Sequence, residues 1–259
     1  MMNAGAQMKK MRLPLIFGAA IFVATLVASA PASLISVFIS SQPGGVAYRD
    51  ARGTIWNGEL VGASIAGAPL GNVAFRLSPA SLLQLAPDVA LSARGGAVIG
   101  SGRMKAGAGG QIELRDVDAQ IALGAIAPQG IFGEPVNGDA NVAIERVVFS
   151  RRAGCRQARG EITTNVLDAP AKRFNLPALP MAGTIACDGE VLVVSLAGEN
   201  PRAGADFTMR LNKAMTYEII ATARPVEESV ASALRVFGFE DDNGALTYGS
   251  AGVLTGAGS

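Results

Sequence analysis

One kind of chemistry is missing from this 259-residue chain at the outset, because it contains no histidine. That removes the side chain that titrates near neutral pH and the imidazole that most often binds a transition metal. A serine or cysteine nucleophile therefore has no imidazole to activate it. Lys172 and Lys213 are candidates for a Ser–Lys pair, but nothing in the spacing selects either. Close carboxylates occur at Asp116/Asp118, Glu227/Glu228 and Asp241/Asp242. The first pair alternates with apolar residues, as on the wet side of a strand, and reads as solvated surface rather than an acid–base pair. Gly107-Ala108-Gly109-Gly110 lacks the Gly-Lys-Ser/Thr ending of a phosphate loop, and a strand pattern follows it, so it reads as a turn. The sequence reads as non-enzymatic and asks for no cofactor and no metal.

The two cysteines, Cys155 and Cys187, cannot make a four-ligand zinc site without histidine. In an exported protein they read as one disulfide, the alternative being two buried thiols. The loop so closed has about 33 residues, for which the chain-entropy account gives roughly 3.7 kcal/mol. Glycine is abundant, at 32 residues, and aromatics make up only 5% of the chain. Such a body has a thin core, and a staple of that size matters to it.

What positions these residues begins at the N-terminus. Lys9, Lys10 and Arg12 lead into Leu13–Ile39, 27 residues without a charge. As a helix, at about 1.5 Å per residue, that run reaches roughly 40 Å and can cross a hydrocarbon core of about 30 Å. Ala28-Ser29-Ala30 has the form of a signal-peptidase site. Pro31 follows it directly and the apolar run continues through Leu34, Ile35 and Val37-Phe38-Ile39, which favours an uncleaved anchor over a removed signal. The cations keep residues 1–12 in the cytoplasm as a basic tail, make 13–39 the membrane helix, and place 40–259 on the far side.

That body reads as strand after strand. Asn57-Gly58, just after the single tryptophan Trp56, suits a type I′ hairpin turn. Val73/Phe75/Leu77, Ile112/Leu114, Val117/Ala119/Ile121, Ala140/Val142/Ile144 and Phe207/Met209/Leu211 alternate with polar neighbours. The apolar phase slips between Leu114 and Val117, so a bulge is expected at Arg115-Asp116. Asp188-Gly189 divides a hairpin running from Gly183 to Leu196. Ser78 to Leu85 suits a helical turn, and Val226, Val230, Leu234 and Phe237 recur at helical spacing. Pro170, Pro177 and Pro180 bracket a loop in which no helix is expected. Residues 125–138 are the least regular stretch and read as the connection between two halves. The tail from Ser250 reads as frayed. The fold class is mainly β: one N-terminal transmembrane helix, then an elongated, curved antiparallel sheet of hairpins with one or two short helices.

Net charge is +1, which gives no reason to expect nucleic acid. Arg146, Arg151, Arg152, Arg156 and Arg159 gather without aromatics for base stacking and read as a solvated face. An outer-membrane barrel would need aromatic girdles that three Tyr and one Trp do not supply.

Several features taken in order resemble the type II secretion system protein N family. They are the basic start and apolar run ending Pro31-Ala32-Ser33-Leu34, then Gly53-Thr54-Ile55-Trp56-Asn57-Gly58, then Leu70 to Ser78-Pro79, and last Cys155 with Gly160 followed by Cys187-Asp188-Gly189 and Leu196-Ala197-Gly198. The resemblance implies a single-pass inner-membrane protein with a periplasmic β domain, acting in export of folded proteins with other inner-membrane and periplasmic parts of the secretion apparatus. Gly53, Thr54, Trp56 and Gly58 would be its structural motif. The family also looks related to AsmA-like proteins, whose β-rich grooves handle lipid. That relation implies the alternative, a periplasmic lipid-binding or lipid-transfer module with bound phospholipid.

Overall fold

The computed structural model describes residues 22, 25–26, 28–34, 46–65, 67–83, 86–107, 110–126, 136–225 and 227–253. Lys9, Lys10, Arg12 and most of the apolar run lie outside these residues. Among the described residues no helix is long and apolar enough to cross a membrane.

The strands are β1 Val46–Ala47, β2 Asp50–Gly53, β3 Asn57–Ile65, β4 Ala68–Leu77, β5 Asp88–Arg94, β6 Val98–Gly107, β7 Gln111–Ala122 and β8 Asp139–Ser150. They continue as β9 Gly154–Thr164, β10 Met181–Asp188, β11 Val191–Asn200, β12 Ala203–Leu211, β13 Thr216–Pro225, β14 Glu240–Asp242 and β15 Ala245–Val253. Four short helices interrupt them: α1 Pro79–Leu83, α2 Leu123–Ile126, α3 Asp168–Arg173 and α4 Glu228–Val236. All the strands belong to one open antiparallel sheet. From β3 to β13 each strand pairs with its neighbour in sequence; at the end β15 lies between β13 and β14, and β1 and β2 both pair with β3. The sheet runs without a break from β7 to β8, across the irregular connection.

Turn chemistry sets much of the register. Asn243 (φ 50°) and Gly244 (φ 88°) form the two-residue turn between β14 and β15, where only residues tolerant of positive φ fit. The expected bulge is present: Asp116 has φ 49°, and pairing with β6 slips between Arg115 and Asp118. Glu145 of β8 is the matching extra residue against β9.

Three expectations are corrected. Asn57-Gly58 does not form the hairpin turn but opens β3. Gly53, at φ 88°, pairs with Gly58, and Thr54–Asn57 close the turn. Residues 166–180 contain α3 in spite of Pro170, which sits in its first turn, where a missing N–H leaves no bond unmade. Ser250–Val253 are not frayed but pair with Thr216–Ile219 as the end of β15.

Candidate functional site

Residues opposite one another in register share a face, and successive residues alternate. Tracing the pairs from β4 to β13 separates two faces of very different chemistry. The inner face, the one α3 and α4 cover, carries Phe75, Leu91, Met104, Leu114 and Val147 in its first half and Ile162, Met181, Leu196, Phe207 and Ala221 in its second. No inward position in these strands carries a charge. Polar side chains there are Thr164, Asn200 and Tyr217. Most of the inward residues are half-buried, and no large side chain among the described residues falls below 2% exposure.

The outer face is built from ion pairs. Arg103, Arg115, Arg146 and Arg159 stand opposite one another on β6, β7, β8 and β9. Like charges so placed repel, and acids from neighbouring positions separate them. Asp88 pairs with Arg103 at 3.2 Å and Glu145 with Arg159 at 3.2 Å. Glu113 serves two arginines: it accepts from Arg115 Nε at 2.7 Å, and Arg146 Nε lies 2.6 Å away. That Arg146 nitrogen is buried and sits outside hydrogen-bond geometry, so its tie to Glu113 is an ion pair. The Arg115 hydrogen bond holds the Glu113 carboxyl below its usual range, against burial, which pushes it up. The arginines grouped in the sequence thus divide between the β8–β9 turn (Arg151, Arg152) and the outer face.

The expected staple is formed, with Cys155 bonded to Cys187 across the start of β9 and the end of β10, Cα atoms 5.7 Å apart. The other candidate groups are engaged structurally. Asp116 and Asp118 are exposed on the outer face. Glu227 pairs with Arg202, and Glu228 and Asp241 both pair with Arg235, at 2.6 and 2.9 Å. The Arg235 hydrogen bond lowers the Asp241 pKa. Lys213 pairs with Glu190 at 2.7 Å, and Lys172 is exposed on α3. Apart from Glu228 and Asp241, which meet at Arg235, the structure does not bring these residues together. Among the described residues no group of His, Cys, Asp or Glu is placed to hold a metal.

The Gly53–Gly58 element is a joint. Thr54 bridges to Pro31, the Ile55 N–H donates to Ala30 O at 3.0 Å, and the Leu77 N–H donates to Trp56 O at 2.9 Å. A Cβ on Gly58 would lie 2.5 Å from the Phe75 ring, so the glycine makes room for that ring. Ala32, 1% exposed, packs with Leu60, Ala63 and Phe75. Residues 30–32, inside the run expected to form the membrane helix, are therefore fixed to the inner side of the first strands, so Pro31–Leu34 belong to the β body and the expected helix 13–39 is too long at its end.

At the far end of the strands the inner face is covered but hollow. A cavity of about 420 Å³ lies between β8–β13 and a roof formed by α2, α3 and α4. Ile162, Met181, Leu196 and Phe207 floor it; Phe174 and Leu234 hang from the roof. Ala203 and Ala205 on β12 line the cavity with short side chains, and Ala221 and Ala223 on β13 border it where they pack against Ala231, Phe239 and Leu246 beneath α4. Arg202, in the β11–β12 turn, ties the roof down. It pairs with Glu227 ahead of α4, and its Nη1 donates to Asn175 O after α3 at 3.0 Å. Asn200 Nδ2 adds a bond to Pro177 O at 3.1 Å. Neither the cavity nor this tie is signalled in the sequence, where four alanines and an arginine in a turn carry no pattern.

A long meandering sheet, stapled once and divided into a charged and an uncharged face, places the chain among antiparallel β proteins. Residues 44–248 match type II secretion system protein N, and the chain belongs to that family. It is thus a component of type II secretion. No curated protein and no solved structure matches the chain.

Proposed function

We propose that this chain is a non-enzymatic, inner-membrane-anchored component of the type II secretion apparatus, with its sheet in the periplasm, acting in export of folded proteins by contact with other parts of the machinery. The match over residues 44–248 carries this reading. It is supported by the joint at Gly53–Gly58, which holds residues 30–32 on the sheet and would keep the sheet close to a membrane helix formed by the earlier part of the apolar run. Strands of up to 12 residues give the sheet a height of about 40 Å along the strand direction. Removing the gene in a strain that secretes through this system tests the reading. Secreted proteins should accumulate, folded, in the periplasm, and the chain should crosslink to other components through its sheet. Undiminished secretion would reject it.

A second reading, in which the inner face also holds lipid, is favoured by one observation: the inward positions from β4 to β13 are free of charge yet mostly half-exposed. A face meant only as a core would be filled, whereas a lipid path needs a continuous apolar lining. Phospholipid co-purifying with the chain supports this reading, and its absence after gentle extraction counts against it.

A further inference from the structure

The hollow under the roof helices allows a more specific assignment, which rests on that second reading. We propose that it is the binding site for a single hydrocarbon chain of a membrane amphiphile, the polar head remaining outside. Three observations carry this.

The lining offers nothing to a polar ligand. The Thr164 hydroxyl is spent, donating to Asp139 O at 2.9 Å and accepting from the Val166 N–H at 3.2 Å. The Asp206 carboxylate, on a strand that borders the cavity, is paired with Arg224 on the outer face. A peptide inserted here would bring N–H and C=O groups needing partners, and the strands beneath are already paired to one another. An alkyl chain needs none, and each methylene it buries is favourable.

The size suits a slender occupant. About 420 Å³ lies toward the lower end of small-molecule sites. The strands keep the hollow open: Ala203 and Ala205 stand where larger residues would fill it, under a roof tied by Arg202.

The third observation is a route. The inward positions of β9–β13 remain uncharged from the disulfide end to the roofed end, through Leu192, Val194, Met209 and Ile219. A chain can therefore travel along the face without meeting a charge.

The test uses the full chain in its own membrane, exposed either to a phospholipid with a photoreactive diazirine in one palmitoyl chain or to diazirine-bearing palmitic acid. Labelled peptides should come from Leu176–Met181, β12–β13 and α4. Labelling by the phospholipid identifies a membrane lipid as the source; labelling by palmitic acid alone identifies a free fatty acid, and either supports the site. Ala205→Leu should cut labelling about tenfold, with the Cys155–Cys187 bond and protease resistance unchanged. Excess unlabelled lipid should displace the label from the unaltered chain, which reads the site without any substitution. Label confined to the inner side of β4–β7 would leave the lipid reading standing and overturn this site. Label absent from the whole inner face would overturn both. Labelling that survives both Ala205→Leu and competition, or an apolar peptide probe that competes as well as lipid, also overturns the assignment.

Discussion

The two ends of the inner face are covered in opposite ways. Near the first strands, Ala32 drops onto Leu60, Ala63 and Phe75 and the space between them is filled. Over β12 and β13 the alanines of β13 pack beneath α4, but between α3 and Ala203 and Ala205 of β12 a hollow remains. The sheet beneath is of one kind at both ends, so side-chain size rather than architecture decides between core and cavity. Packed interiors are dense because voids forfeit contacts. A void that a row of small residues maintains points to an occupant other than the protein itself.

The comparison can be broken most forcefully at the filled end. Phe75→Glu places an unpaired carboxylate where the native ring is 7% exposed. It should cost about 3–5 kcal/mol or unfold the domain, read by chemical denaturation. A folded Phe75→Glu protein of near-native stability would mean that this end is hollow too.

Next is the staple that stands between the two ends. Cys187→Ala should cost about 3–4 kcal/mol, and protease sites should open first around α3 and β10 while the first strands remain protected. Uniform loosening would show that the ends do not behave as separate regions.

The sharpest contrast comes from one added side chain at each end. Ala63, 2% exposed, has no spare room, so Ala63→Leu should cost about 1–3 kcal/mol. Ala205→Leu, on the lining of the hollow, should cost under about 0.5 kcal/mol, or stabilise. Equal penalties, measured by thermal unfolding, would erase the distinction drawn here.

The smallest effect belongs to the outer face. Glu113 has a lowered pKa because the Arg115 hydrogen bond and the Arg146 charge favour its ionised form. Its contribution is therefore present above the unfolded carboxylate pKa and fades as pH falls through the lower folded value. Glu113→Gln should flatten the acid side of the stability profile and leave the neutral side with only a constant offset. An acid limb unchanged by the substitution would show that Glu113 does not set it.

Alternation made most of the sheet legible, since Val73/Phe75/Leu77 and Phe207/Met209/Leu211 have one strand face each to bury. The Asp116 slip was legible for the same reason, as a break in phase. Thr54–Asn57 was misread because Asn57-Gly58 suits a turn locally, while Gly53 and the contact of Gly58 with Phe75 placed the turn earlier. Pro170 hid α3 because proline argues against helix everywhere except the first turn. The hollow was not legible at all. Alanine at an inward position is equally consistent with a close neighbour and with empty space, and only the height of the roof tells them apart.

The pairing order has a kinetic consequence. From β3 to β13 each new strand completes a hairpin with the one before it, so a chain delivered N-terminus first can extend its sheet as it emerges, without waiting for distant segments. The exception lies at the end, where β15, the last strand to arrive, must settle between β13 and β14. Leu246 then joins Ala231 and Phe239 beneath α4. β15 thus acts as the keeper of the roof, and the hollow, floored earlier by β9–β12, acquires its ceiling at α4 only once that strand is in place.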